Sequence, residues 1–211
     1  MKPIQDLKAE HEGILLMLDI LERMSERIVA GKSVPTDHLK QVLDFLQVFV
    51  DKCHHGKEEK LLFAAMEEAG VPKEGGPSLR LGSPLHAAVS GNASSPRPIF
   101  SEGGPLAVML SEHDRGRQFI KEMKNLLHSS EKGEPGSLEV LTTPALQYVN
   151  LLRSHIWKEN NVLFPMAEKA VTADKLNLIG EQFDRFEKEE IGQGTHETFH
   201  EMIDKLSKIY L

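Results

Sequence analysis

Apolar residues recur at helical spacing along most of the chain. In residues 3–30 they lie three or four positions apart, as Ile4 with Leu7 and Leu15 with Leu18 show, and Gly31 follows this segment. The same spacing predicts further helices over residues 36–68, 105–128, from about 138 or 144 to 169, and 173–190, with a short sixth helix after IGQGT. No stretch shows the sustained alternation of a strand. The pattern predicts an all-α protein, and helices of this length favour a four-helix bundle with a C-terminal helical appendage.

A long polar segment separates the second and third predicted helices. It is rich in Gly, Pro and Ser and is therefore predicted to be a loop. The letters EGGP occur at residues 74–77 and again at 102–105, which indicates an insertion over about 78–104. We interpret it as a tolerated surface loop. The alternative is a lid or partner-binding segment, with His86 as an outside candidate ligand.

Composition and charge narrow the classes of partner. The net charge is −7 and the isoelectric point is near 5.8, which argues against nucleic acid or an anionic membrane as the main partner. Cys53, the single cysteine, excludes an internal disulfide and fits a reducing compartment. The start of the chain lacks the features of a signal peptide, and no apolar run is long enough for a transmembrane helix. We therefore expect a cytoplasmic protein.

Two segments repeat one pattern. HHGKEEKLLFAAME begins at His54 and HIWKENNVLFPMAE begins at His155, and in each a glutamate follows the histidine by four residues. Another helical histidine precedes each segment, by 43 and 42 residues. The chain therefore contains H…HxxxE twice. The repeated residues are His11, His54 and Glu58, and His113, His155 and Glu159.

This spacing has a consequence for the core. Residues four apart share one helix face, and the first histidine of each repeat is in register with apolar positions. One such histidine is more often an ordinary core residue, and one HxxxE pair is more often a surface pair. Six such side chains that converge in one core favour a metal site instead. A buried carboxylate is costly unless it is paired or metal-bound, and Arg117 is the only basic residue predicted nearby on the inward face. Imidazole and carboxylate ligands favour iron or manganese, with zinc as the third choice. Two histidines for each metal and two bridging carboxylates describe a dinuclear site.

The pattern H…HxxxE…H…HxxxE, with LLF and LFP after the glutamates, resembles the hemerythrin-like (HHE cation-binding) family over about residues 4–169. The resemblance implies an up-and-down bundle over residues 1–170, with 171–211 as an extension outside it. It also implies two non-haem iron ions with an oxo or hydroxo bridge, which meet O2, NO or peroxide. By position, the four histidines resemble the terminal ligands of the family, and the two glutamates resemble its bridging carboxylates.

The sequence departs from the oxygen carriers of that family at one ligand. They have a further histidine one turn after the third-helix histidine, where this chain has Arg117. Six ligands leave an open position on both metals, which favours redox chemistry or sensing over simple reversible carriage. His55 is a candidate substitute ligand, and a boundary histidine that donates to water is the alternative. Tyr148 shares the inward face and could hydrogen-bond a ligand, although a buried tyrosine with an ordinary partner is at least as plausible.

For three other residues we favour a structural role over a functional one. His196 and His200 are four apart in HETFHEM and are interpreted as an exposed helix face, with a second zinc-like site as the alternative. Trp157 faces away from the predicted site and is assigned to packing.

The sequence supports three hypotheses for function. The first is binding or sensing of O2 or a related small oxidant. The second is an enzyme that reduces NO or peroxide, or supplies iron for the repair of iron–sulfur clusters, as some family members are thought to do. The third is an iron-responsive module whose loop over residues 78–101 contacts a protein partner that the sequence does not identify.

Overall fold

The computed structural model describes residues 2–73, 103–190, 192 and 194–211, and within these ranges every regular element is a helix. The all-α prediction is therefore confirmed. Helix α1 is Lys2–Val29, α3 is Pro105–Glu131, α5 is Ala173–Glu190 and α6 is Thr195–Tyr210. Helix α2 covers residues 36–68 as Thr36–Phe45, the π-helical segments Leu46–His55 and Glu58–Leu62, and Phe63–Glu68. Helix α4 covers residues 137–170 as Ser137–Lys158, the π-helical segment Glu159–Leu163, and Phe164–Ala170.

The first four helices enclose a core with two apolar layers. Helix α4 packs along both α1 and α3, and α2 packs mainly against α3. On α1 one apolar layer ends at Leu7 and the other begins at Ile14, with His11 between them. A polar layer therefore crosses the bundle between two apolar layers, which shield it from water on both sides. The up-and-down order of these helices stays a prediction.

The π-helical segments are the main local departure from the sequence prediction. In an α-helix adjacent side chains diverge by about 100° around the axis. A π-helical turn is wider, so its neighbouring residues diverge less, and such turns often occur at functional sites. In the segment Leu46–His55 both His54 and His55 are buried. The wider turn lets two consecutive histidines face the core.

The C-terminal helices pack on the bundle. Helix α5 contacts α1 and the π-helical part of α2, and α6 contacts α1 and the beginning of α2. Phe183 from α5 and Ile203 and Leu206 from α6 are buried in the two apolar layers. At 16 residues, α6 is longer than the short helix predicted. The division of the chain at residues 170 and 171 stays a prediction.

The predicted insertion lies mostly outside the described residues. The interpretations of the loop over 78–104, including the ligand role of His86, fall largely in the range 74–102, which the structure does not describe. Where the described chain resumes after this range, the backbone at Gly104 packs directly against Pro72. A Cβ atom added at Gly104 would lie 2.2 Å from the carbonyl oxygen of Pro72. Among the described residues no helix combines the length and apolar character needed to cross a membrane.

Candidate metal centre

The structure brings all six predicted ligands together in the polar layer, each almost completely buried. Together with His55, they form two groups that share Glu58. The first contains His11, His54, Glu58 and Glu159, and the second contains His55, Glu58, His113 and His155. In each group, one candidate ligand atom from every residue lies within 4.8 Å of the others. That these residues bind metal stays a prediction.

The two glutamates each span both groups. Glu58 places Oε1 3.7 Å from His54 Nε2 and Oε2 3.6 Å from His113 Nε2. Glu159 places Oε2 3.2 Å from His11 Nε2 and Oε1 2.9 Å from His155 Nε2. Each carboxylate therefore directs one oxygen to each group, which is the arrangement of a bridging ligand.

The histidines meet in pairs through their Nε2 atoms. His11 and His54 approach to 3.0 Å between Nε2 atoms, and so do His113 and His155. The Nδ1–H of His54 donates to Glu10 Oε2 at 2.7 Å, and that of His155 donates to Glu112 Oε2 at 2.9 Å. An Nδ1 proton leaves the Nε2 lone pair directed into the site, as in metal-bound imidazoles.

This donor set fits a cation. Two facing Nε2 lone pairs at 3.0 Å repel each other unless a cation lies between them. Neither carboxylate oxygen of Glu58 accepts a hydrogen bond from the residues that the structure describes, and the nearest nitrogen atoms to the Glu159 oxygens are those of His11 and His155. Buried carboxylates without partners are costly, and imidazole with carboxylate suits iron, manganese and zinc. The residues present therefore fit a pair of metal ions.

The pKa values of the site follow from its burial. Burial lowers the pKa of His54 to about 4, and it also lowers that of His113, so both imidazoles are neutral near pH 7. Burial and the neighbouring Glu159 raise the pKa of Glu58. Burial opposes a charge on His155, but Glu159 and Glu112 outweigh it and raise the pKa of His155 to about 9. A metal ion that bound His155 through Nε2 would replace any proton on that nitrogen, so metal affinity is expected to depend on pH.

A glutamate–lysine ion pair lies behind one histidine in each half of the sequence repeat. Glu10, which accepts from His54, also pairs with the buried ammonium group of Lys57. Glu112, which accepts from His155, pairs with Lys158. Sequence reasoning missed these residues. A signal was present, since a glutamate precedes the first histidine of each repeat and a lysine precedes each HxxxE glutamate.

The other two histidines have unequal partners. The Nδ1–H of His113 donates to Glu59 Oε1 at 2.7 Å, whereas His11 Nδ1 lies 3.0 Å from the amide oxygen of Asn160. Arg117 donates to Glu59 Oε1 at 2.6 Å and to Asp51 Oδ1 at 2.7 Å. Arg117 therefore holds the carboxylate that orients His113, and among the described residues it forms no ion pair with Glu58 or Glu159. A carboxylate makes an imidazole a stronger ligand than an amide does, so the two groups are chemically unequal.

His55 lies inside the second group. Its ring stacks on that of His113 with centroids 3.8 Å apart, and its side chain is almost fully buried. Neither ring nitrogen has a hydrogen-bond partner among the described residues, and burial lowers the pKa of His55 so that the ring is neutral. The interpretation of His55 as a boundary histidine that donates to water is therefore wrong. The second group has three imidazoles where the sequence predicted two.

The remaining residues that the sequence singled out have distinct positions. Tyr148 is buried, and its hydroxyl has no hydrogen-bond partner among the residues described. Gly116 of α3 lies against the Tyr148 ring, and a Cβ atom added at this glycine would lie 3.4 Å from the ring. Trp157 faces away from the site as expected, but its assignment to packing is wrong, because 53% of the residue is exposed.

A helical bundle with two overlapping His/Glu groups in its core is characteristic of metal-binding bundle proteins. A family model supports this classification, since the Hemerythrin HHE cation binding domain matches residues 2–81 and 100–167. The chain belongs to this family, as its repeated motifs indicated. It is also 20% identical over 205 residues to the uncharacterized proteins Rv1995 of Mycobacterium tuberculosis and Mb2018 of Mycobacterium bovis. These alignments cover 97% of this chain and 68% of each relative.

Proposed function

We propose that this protein is a dinuclear non-haem iron protein that binds or senses O2 or a related small oxidant, either NO or peroxide. The observation that carries the proposal is the convergence of paired Nε2 atoms and unsatisfied carboxylate oxygens in a buried layer. The predicted up-and-down bundle and a cytoplasmic location belong to the same proposal.

Each group of side chains would hold one iron. His11 and His54 would hold the first, and His55, His113 and His155 would hold the second. Glu58 and Glu159 would bridge the two, because each directs an oxygen to either group. When bound, iron supplies the electrons and open coordination positions with which O2, NO or peroxide react.

The protein itself orients the ligands and excludes water. Hydrogen bonds from Nδ1 to Glu10, Glu112 and Glu59 hold three of the imidazole rings in one orientation. The apolar layers on both sides of the site exclude water, which limits competing reactions at a reactive metal. A small diatomic molecule matches this enclosed setting better than a larger substrate.

The unequal groups favour sensing or redox chemistry over symmetric storage. The second group has three imidazoles, and Glu59 hydrogen-bonds His113, whereas the first group has two imidazoles, and Asn160 lies against His11. Two metals in such different settings are expected to differ in affinity and reduction potential. The alternative function, an enzyme that reduces NO or peroxide, would use the same difference.

Anaerobic iron loading followed by stopped-flow spectroscopy tests the proposal. Wild-type protein is expected to bind two irons per chain, and His55→Gln is expected to weaken the second by at least about tenfold, by analogy with losses at supporting residues. His128→Gln is the control, because this histidine on α3 is 66% exposed at its side chain. A reversible oxygenated spectrum supports binding or sensing, and turnover with NO or peroxide supports the enzyme. One tight metal per chain, together with unchanged loading in Glu58→Gln, would refute the dinuclear site.

A further inference from the structure

The C-terminal helices enclose a cavity against the bundle. It has a volume of about 350 Å³ and lies between α1, α2, α5 and α6. Aromatic rings such as Phe49 and Phe199 line part of it, and Glu187, His196 and His200 line another part. The family model ends at residue 167, so α5 and α6 lie beyond the matched domain. Two of the four helices that line this cavity therefore lie outside the region that the family model matches.

Two histidines that line this cavity have their Nε2 atoms close together. His196 and His200 are four residues apart on α6, and their Nε2 atoms lie 3.2 Å apart. Their ring centroids are 4.7 Å apart. Histidines at this spacing share one helix face and chelate a metal in helices with the pattern H-E-x-x-H, which HETFH also has.

The orientation of His196 is set by another helix. Its Nδ1 lies 3.3 Å from Glu187 Oε1 of α5, and the other carboxylate oxygen of Glu187 lies 3.7 Å from Lys57 Nζ. The ring also stacks on Phe49, with centroids 5.1 Å apart. His196 is only 32% exposed at its side chain, so the interpretation of this pair as a simple exposed helix face is wrong for His196.

This arrangement reproduces the local chemistry of the core. With its ring proton on Nδ1, 3.3 Å from Glu187 Oε1, His196 presents the Nε2 lone pair to Nε2 of His200. The same relation holds in the core, where His54 donates to Glu10 and meets His11. A carboxylate behind a ligating imidazole fixes its tautomer and strengthens it as a ligand. A simple chelate on an isolated helix would lack this support.

We infer that His196 and His200 form a second, exchangeable site for a divalent transition-metal ion, with Glu187 as the residue that positions His196. Two imidazoles favour zinc, copper, nickel or iron, and water would complete the coordination. Two protein ligands make a weaker site than the buried centre, and the exposed edge at His200 gives the ion access from solvent. The inference does not depend on the function proposed for the core.

Zinc titration calorimetry on the iron-loaded 211-residue chain tests this site. Wild-type protein is expected to bind one Zn²⁺ in addition to its iron, and His200→Ala is expected to abolish that binding. Glu187→Gln is expected to weaken it about 10- to 100-fold, the usual effect of losing such a supporting carboxylate. Glu197→Gln is the matched control, because it removes the same charge from an exposed position beside His196, and it should change the affinity less than about threefold.

Two results would overturn the inference. Unchanged Zn²⁺ affinity in His200→Ala would show that the ion binds elsewhere. Equal affinities for Glu187→Gln and Glu197→Gln would show a surface chelate only, without the positioning role of Glu187. Helical content is recorded for each variant by circular dichroism, so that loss of binding is scored only on folded protein. The iron content and optical spectrum of the same samples report on the core separately, so the two proposals can fail independently.

Discussion

Replacement of Lys57 by methionine should destabilise the metal-free protein strongly. Lys57 is 1% exposed and pairs with Glu10, which is 8% exposed. Methionine fills a similar volume but leaves the Glu10 carboxylate buried with only His54 as a partner. Removal of one member of a buried ion pair typically costs about 3–5 kcal/mol. We expect a loss of free energy of unfolding in this range.

The pKa of Glu10 gives an independent magnitude. Burial opposes ionisation, but the hydrogen bond from His54 and the ammonium charge of Lys57 lower the pKa of Glu10 from 4.5 to about 2. That shift corresponds to about 3 kcal/mol of stability near neutral pH, and the group is buried enough that solvent screening is small. Because the folded-state pKa is lowered, this contribution is present above pH 4.5 and is lost as the pH falls towards 2.

A double substitution separates the ion pair from simple packing. In Lys57→Met with Glu10→Gln, both charges are gone, and the amide oxygen introduced at position 10 can still accept from His54. Neutral replacement of a buried pair is often close to neutral in stability, so the double variant should recover to within about 1 kcal/mol of wild type. Lys60→Met is the control, because the Lys60 side chain is 59% exposed and pairs with Glu190 at the surface. It should cost less than about 1 kcal/mol.

Urea unfolding of metal-free protein at pH 7 measures these differences. With a slope of about 3 kcal/mol per molar urea, the single variant should unfold at a midpoint about 1–1.7 M below wild type. The gap between wild type and Lys57→Met should narrow as the pH falls from 4.5 to 2, because Glu10 becomes protonated. Equal midpoints for Lys57→Met and Lys60→Met, or a double variant no more stable than the single one, would refute this reasoning.

Two further predictions concern packing. Gly104→Ala should cost about 1–3 kcal/mol in urea unfolding, because the added Cβ would lie 2.2 Å from the Pro72 carbonyl oxygen. Gly13→Ala, whose Cβ would lie 3.7 Å from Ile203, is its control and should be neutral or stabilising; equal losses would contradict the clash. Tyr148→Phe should raise the stability of the metal-free protein by about 1 kcal/mol, because the buried hydroxyl has no partner among the described residues; a lower urea midpoint would show that it has one.

The helices and the inner ligand set could be predicted from the sequence because both depend on local periodicity. His54 and Glu58 share a face for the same reason as His155 and Glu159, and the repeat relates the two pairs without any knowledge of packing. The resemblance carried by that repeat led to the family that the chain belongs to. Their convergence was inferred because apolar register places a whole helix face inward.

The glutamates that hydrogen-bond the candidate ligand histidines could be identified only in the tertiary structure. Glu10 reaches His54 from α1, 44 residues away in the chain, and Glu112 reaches His155 from α3, 43 residues away. Such pairs depend on the rotation and separation of packed helices, which local spacing does not specify. From the sequence alone, a lysine such as Lys57 is expected at the surface. Only the structure shows that Lys57 is buried beside its partner Glu10.

His55 and His196 show the same limit in two ways. For His55, a π-helical turn in α2 rotated the side chain into the second ligand group, and α-helical periodicity places it elsewhere. For His196, the spacing to His200 was visible in the sequence, but Glu187 and Phe49 come from other helices. Outside the π-helical segments, the sequence by itself therefore determined which residues lie on each helix face. The packing of the helices decided which carboxylate stands behind each imidazole, because that contact requires two elements to meet at hydrogen-bonding distance.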